Sequence, residues 1–129
     1  MRTLFVEHHA AFRQSASFMM GREDDMEVVA QAGSVAEGRE KMAQGGIDAA
    51  VVDVPLPDEG AAGMVRDLVE ANPSIPVLVL TDPVDEMVRG RFLAAGAGEV
   101  LPKSITLLEF LAAVGRLGRE EEEEGEEAG

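Results

Sequence analysis

A chain of 129 residues is long enough to bury one core of a sheet with flanking helices and too short for two compact domains. Cysteine is absent, which removes disulfides, Cys-ligated metal centres and a thiol nucleophile. The formal charge is −14, but residues 120–129 hold seven of the 25 acidic groups, so residues 1–119 carry 18 acidic against 11 basic groups, a net of −7. That balance, with no Lys/Arg cluster and no tyrosine or tryptophan to stack on bases, argues against nucleic acid as a direct partner.

Met1-Arg2 leads directly into a strand pattern at Thr3–Val6 without the apolar region of a signal peptide. No apolar stretch approaches the ~20 residues of a membrane span. A soluble cytoplasmic protein is expected, with no membrane partner. A helix follows at Ala11–Met20, with Phe12, Ala16 and Met19 as its core stripe, then a strand at Glu27–Ala32. Ser34 and Glu37 have the spacing of a capping box and open a helix over Val35–Gln44, which Gly45-Gly46 closes.

The apolar strand Ile47–Val52 runs into Asp53, and a helix at Ala61–Ala71 places Val65, Leu68 and Val69 on one face. Val77–Leu80 is the next apolar strand and ends at Thr81. Asp82-Pro83 offers an N-cap followed by proline at the first helical position, predicting a helix over Pro83–Ala95 that Gly96 terminates. Glu99–Leu101 is the last strand, followed by Pro102 and Lys103. Thr106 and Glu109 form a second capping box before a helix at Leu107–Arg116, with Leu107, Leu108, Leu111 and Val114 as its apolar face.

Residues 120–129, EEEEEGEEAG, bury no apolar area and repel one another, so a disordered acidic tail is expected after a folded unit of residues 1–119. Negative charge at a helix C-terminus opposes the helix dipole, which predicts an end to the last helix near Arg116. The whole is an α/β pattern, (βα)5 without internal repeat. Right-handed crossovers turn it into a doubly wound, five-stranded parallel sheet of flavodoxin-like order, with its functional crevice at the carboxyl ends of the strands.

Glu7, His8, Asp53, Thr81 and Lys103 all fall at or just beyond those carboxyl ends. A carboxylate, a hydroxyl and an ammonium at one sheet edge are the parts of a phosphorylatable aspartate. His8 and His9 raise the question of Zn²⁺ or Ni²⁺, but two adjacent loop residues chelate one ion poorly, so a structural role is the expected one. No GxGxxG or GxxxxGK loop is present and no general base stands out, so enzymatic turnover of a metabolite is not expected.

The order of these groups resembles the receiver domain of two-component response regulators, and the resemblance covers residues 1–119. It rests on VEHHAAFRQS, where LuxR-type regulators usually carry a stretch like VDDHPLFRQG, and on DMEVVAQAGS, DVPLP, PVLVLT and GAGEVLPKS. The resemblance implies that Asp53 takes a phosphoryl group from a sensor histidine kinase or a small phosphodonor, and that Lys103 pairs with Asp53 and then with a phosphate oxygen. It also implies that Thr81 moves toward the phosphate and alters the surface of the fourth helix, fifth strand and fifth helix, the face expected to form a homodimer. Mg²⁺ would be held by Glu7, Asp53 and the backbone carbonyl of Pro55.

Several positions depart from the family pattern. The second acid of the metal-binding pair is His8, a poor ligand for a hard cation that prefers oxygen. The aromatic that normally turns inward with the threonine is Val100, too small for the same rotation. Residues Glu59-Gly60-Ala61-Ala62-Gly63 replace the usual acidic-glycine pair. The expected function is therefore an atypical receiver with Asp53 as phosphoacceptor and weakened metal dependence in phosphorelay signalling. The alternative is a degenerate receiver serving as a phosphorylation-independent dimerisation or interaction module. The family's usual output, a DNA-binding helix-turn-helix, lies outside this chain, which is either a stand-alone domain or a fragment.

Overall fold

The computed structural model describes residues 1–53, 60–82 and 84–128, without the side chains of 118–128. Among the described residues, strands and helices alternate in the order β1 (Arg2–Glu7), α1 (Ala10–Met20), β2 (Glu27–Ala32), α2 (Val35–Ala43), β3 (Ala49–Asp53), α3 (Ala61–Ala71), β4 (Val77–Thr81), α4 (Glu86–Ala95), β5 (Glu99–Pro102) and α5 (Leu107–Ala128). All strand pairings are parallel and the sheet order is β2-β1-β3-β4-β5. The doubly wound fold expected from the sequence is the one observed. Its strand order reverses beside β1, so the crevice at the ends of β1 and β3 is the topological switch point.

Alternation along each strand divides the core into two layers. Leu4, Val6, Ala50, Val52, Val77, Val79 and Val100 face α2, α3 and α4, where Met64, Val65, Leu68 and Phe92 complete the packing. Phe5, Val51, Leu78 and Leu80 face α1 and α5, against Ala16, Met20, Phe110, Val114 and Leu117. Each large side chain fully withdrawn from water contributes about 1.5–3 kcal/mol. A slip of one residue would send each strand residue to the opposite layer, so this packing fixes the register that aligns the strand ends.

The helix starts follow local chemistry. Ser34 accepts a hydrogen bond from the Glu37 N–H, while Glu37 Oε2 accepts from the Gly33 N–H, one residue earlier than a standard capping box. Thr106 Oγ1 caps the Glu109 N–H at 3.1 Å, as its spacing predicts. The fourth helix differs from expectation: its N-cap is Asp85, whose Oδ1 accepts from the Val88 N–H at 2.8 Å, so the helix begins at Glu86 rather than at Pro83. Asp85 supplies the same cap as Asp82 would, three residues nearer the buried Phe92 face; Pro83 itself lies outside the described residues.

Two apolar stripes are also rotated from their expected phases. In α1, Ala16 and Met20 are buried, whereas Phe12 is 40% exposed and Met19 is half-buried. In α5 the core face is Phe110, Ala113, Val114 and Leu117, leaving Leu107 and Leu108 exposed. The Phe110 ring sets this phase, with its centroid 6.2 Å from both Phe5 and Phe12. Finally, α5 continues to Ala128 instead of ending near Arg116. Glutamate is a good helix former, and over these residues that local preference outweighs the adverse dipole. No helix among the described residues is long and apolar enough to cross a membrane.

Candidate functional site

Four strand ends deliver the site. Glu7 closes β1 and Asp53 closes β3, and the two are partners in the ladder between these strands. Thr81 closes β4 opposite Pro102 of β5, and the N–H of Lys103 donates to the Thr81 carbonyl at 3.1 Å. Glu7, Asp53 and Thr81 are buried. Parallel strands therefore bring together residues from four separate parts of the chain, as their places after the apolar runs predict.

Lys103 reaches back over the sheet edge, with Nζ 2.6 Å from Asp53 Oδ1. A buried carboxylate in contact with an ammonium has much of its charge cost offset. Even so, the Asp53 carboxyl is raised to about 7: loss of hydration is the largest cause, the neighbouring Glu7 adds to it and Lys103 opposes both. Glu7 moves the other way. Burial would raise it, but its bond with Asp53, the His9 N–H and the nearby Lys103 and His8 leave it below its ordinary value. Two carboxylates this close and out of water favour retention of a proton at the pair, and the raised value of Asp53 with the lowered value of Glu7 puts that tendency on Asp53.

A small cavity of about 100 Å³ opens over Asp53 and Lys103, walled by Phe12, Leu80, Ile105 and Leu107. It is well below the roughly 300–1,000 Å³ typical of small-molecule sites. A larger groove of about 530 Å³ between Phe12, Phe18, Met19 and Leu107 is lined by no titratable side chain among the described residues.

Around Glu7 the geometry is not what spacing alone suggests. Its Oε1 accepts the His9 N–H at 3.0 Å and lies 3.5 Å from His8 Nδ1 and 3.3 Å from His9 Nδ1, while Arg13 Nη1 donates to its backbone carbonyl at 2.7 Å. Both imidazoles thus converge on one carboxylate oxygen. The turn conformation between β1 and α1 produces this, and no periodicity in the sequence encodes it.

The described residues suit Mg²⁺ poorly. Mg²⁺ requires a near-octahedral set of hard oxygen ligands. Here one Glu7 oxygen already faces an N–H and two imidazoles, one Asp53 oxygen is held by Lys103, and the position of the second acid carries the half-exposed His8. Pro55, whose carbonyl was the other expected ligand, lies outside the described residues, as do Val54 and Leu56 to Glu59.

Val100 is buried against the layer containing Phe92, and its carbonyl accepts from Arg89 Nη1 at 2.9 Å. Arg116 Nη2 lies 2.7 Å from Glu99 Oε1. Guanidinium groups from α4 and α5 therefore grip consecutive residues of β5.

Comparison with known proteins matches residues 3–115 to the response regulator receiver domain. The DNA-binding transcriptional activator DevR/DosR of Mycobacterium tuberculosis is 30% identical over 118 residues, covering 92% of this chain and 54% of that protein. The chain thus spans about half the length of this relative. A CheY-like receiver domain from Methanospirillum hungatei superposes with a TM-score of 0.78 at 21% identity, covering 95% of this chain and 97% of the other. A LuxR-family response regulator from Aurantimonas sp. gives 0.72 at 22% identity, with coverages of 95% and 96%. These two structures share the fold.

Proposed function

Because the chain belongs to the response regulator receiver family, the signalling module of two-component systems, we propose that Asp53 is its phosphoacceptor and that phosphorylation proceeds with weak dependence on Mg²⁺. The observation that carries this reading is the 2.6 Å contact between Lys103 Nζ and Asp53 Oδ1 beneath a cavity of about 100 Å³. That space suits a phosphoryl group and not a metabolite, in keeping with a signalling role rather than turnover.

An ionised Asp53 oxygen attacks phosphorus as the P–N bond of a kinase phosphohistidine, or the P–O bond of a small phosphodonor, breaks. The product is an acyl phosphate. The proton held with Glu7 leaves Asp53 before attack and remains on Glu7 or passes to water. Lys103 then turns from the carboxylate to an equatorial phosphate oxygen, where its charge offsets the charge being transferred. Thr81, buried beside it at the end of β4, is the group whose movement passes the event to β5. Receiver domains typically bind Mg²⁺, but none of these steps uses a metal ion.

Readout follows through α4, β5 and α5. With the small Val100 already buried, we assign the switch to Thr81 and to the α4 and α5 contacts with β5. A homodimer forms through this face, where α4 leaves Met87 and Leu93 exposed. Residues 1–119 act as the receiver unit, in a cytoplasmic protein whose cognate donor is a sensor histidine kinase and whose output is control of transcription.

Incubation with acetyl phosphate, followed by intact-mass measurement of the wild type and Asp53→Asn, tests the assignment. The expected result is a gain of one phosphoryl group in the wild type and none in the variant. No gain with either Mg²⁺ or Mn²⁺ present rejects it in favour of a phosphorylation-independent interaction module, the reading that His8 and Val100 favour.

A further inference from the structure

We propose that Glu7, His8 and His9 form a binding site for a borderline divalent transition ion of the Zn²⁺ class, distinct in ligand chemistry from an oxygen-only Mg²⁺ site. The ligand atoms of the three side chains lie within 4.8 Å of one another. Glu7 is 1% exposed and held from both ends: the His9 N–H binds its carboxylate and Arg13 binds its carbonyl. His9 is the N-cap residue of α1, yet its side chain makes no capping hydrogen bond, which leaves its imidazole available.

The separations are informative. The two imidazole Nδ1 atoms stand 3.5 and 3.3 Å from the same Glu7 oxygen, while the ring centroids, 3.9 Å apart, would have to spread on binding a tetrahedral ion. An N–H···O hydrogen bond would bring such a pair to about 2.7–3.2 Å. A tetrahedral ion with ligand distances of about 2.0–2.1 Å separates neighbouring ligand atoms by about 3.3–3.4 Å. An octahedral Mg²⁺ at about 2.0–2.1 Å would bring neighbouring ligands to about 2.9 Å. Both Glu7 edges are therefore close to the tetrahedral value.

Two imidazoles and one carboxylate are the donor types that Zn²⁺, Co²⁺ and Ni²⁺ prefer over Mg²⁺. His8 and His9 are 40% and 70% exposed, so the fourth position of a tetrahedral ion opens to water. The carboxylate arrives from the end of β1 and His9 from the first residue of the α1 cap, so the ion would sit where the strand turns into the helix. The Asp53 phosphoacceptor assignment is not needed for this site, because binding is read without phosphate.

The test is titration of the chelator-treated full chain with Co²⁺, followed by visible absorption, and with Zn²⁺, followed by calorimetry. One ion per chain is expected, with the intense d–d bands of tetrahedral Co²⁺. His8→Asn and His9→Asn should each weaken binding at least about tenfold, since each removes one of three protein ligands. Both histidines are outside the core, so their far-UV circular dichroism should match the wild type. Failure to bind Co²⁺ or Zn²⁺, equal binding by the histidine variants, or displacement of Co²⁺ by a hundredfold excess of Mg²⁺ would each overturn the site. A phosphoryl gain with no Co²⁺ binding would reject this site alone, and Co²⁺ binding with no phosphoryl gain would reject only the phosphoacceptor.

Discussion

Glu7 and Asp53 face each other across the β1–β3 ladder, and burial with each other's proximity raises the Asp53 carboxyl to about 7 while Glu7 lies below its ordinary value. Lys103 Nζ, 2.6 Å from Asp53 Oδ1, offsets one unit of their charge.

The raised Asp53 carboxyl makes stability depend on pH. Asp53 has a folded value near 7 against 3.8 when unfolded, so the folded state binds the extra proton and its advantage fades as pH rises from about 4 through about 7. Glu7, lowered from 4.5, acts in the opposite sense: its contribution is present above about 4.5 and is lost only as pH falls below that. Between pH 5.5 and 8 the Asp53 effect governs. In chelator-treated protein, the urea midpoint should fall over this range, and Asp53→Asn should flatten the slope and raise stability at pH 8 by about 1–2 kcal/mol. A wild-type midpoint that climbs with pH would contradict the raised Asp53 carboxyl.

Replacing the imidazole at the second acidic position should exchange one metal preference for another. His8→Asp adds a hard oxygen next to Glu7 and removes a nitrogen ligand. Calorimetric Mg²⁺ affinity should rise by about tenfold or more, with a further gain in the Glu7→Asp/His8→Asp double variant, while Co²⁺ binding weakens. Unchanged Mg²⁺ affinity would mean that His8 is not what limits the site.

Two glycines of the α4 region should respond in opposite directions to a single methyl group. Gly96 closes α4 with φ +114°, and a Cβ there would lie 2.6 Å from Val69 Cγ2. Gly96→Ala should therefore lose about 2 kcal/mol or more to backbone strain and overpacking. Gly90 is an exposed interior position of the same helix with nothing within 4 Å of its added Cβ. Gly90→Ala should gain about 0.5–1 kcal/mol. Thermal unfolding of the two variants side by side checks both signs, and a stabilised Gly96→Ala would disprove the close approach to Val69.

Much of the site was legible because each part follows a short apolar run. A buried parallel strand is apolar on both faces, so the first polar residue after it marks the sheet edge: Asp53, Thr81 and Lys103 could be placed there before any coordinates. Helix phase was less legible. Leu107, Leu108, Leu111 and Val114 satisfy helical spacing as well as the true face does, and the choice depends on where the Phe110 ring finds room beside Phe5, a long-range matter. The start of α4 was ambiguous because Asp82 and Asp85 are chemically equal caps. The approach of His8 and His9 to Glu7 depends on side-chain torsions in one turn, which residue order does not reveal.

The grip of Arg89 and Arg116 on β5 bears on how two copies of the chain can meet. β5 is the last strand of the sheet, and an open strand edge invites another chain to add a strand of its own. This edge is only four residues long, ends in Pro102, and has the Val100 carbonyl occupied by a guanidinium and Glu99 occupied by another. Addition of a strand from another molecule is disfavoured on this side, so the dimer proposed for this face would meet through side chains of α4 and α5 rather than by extending the sheet.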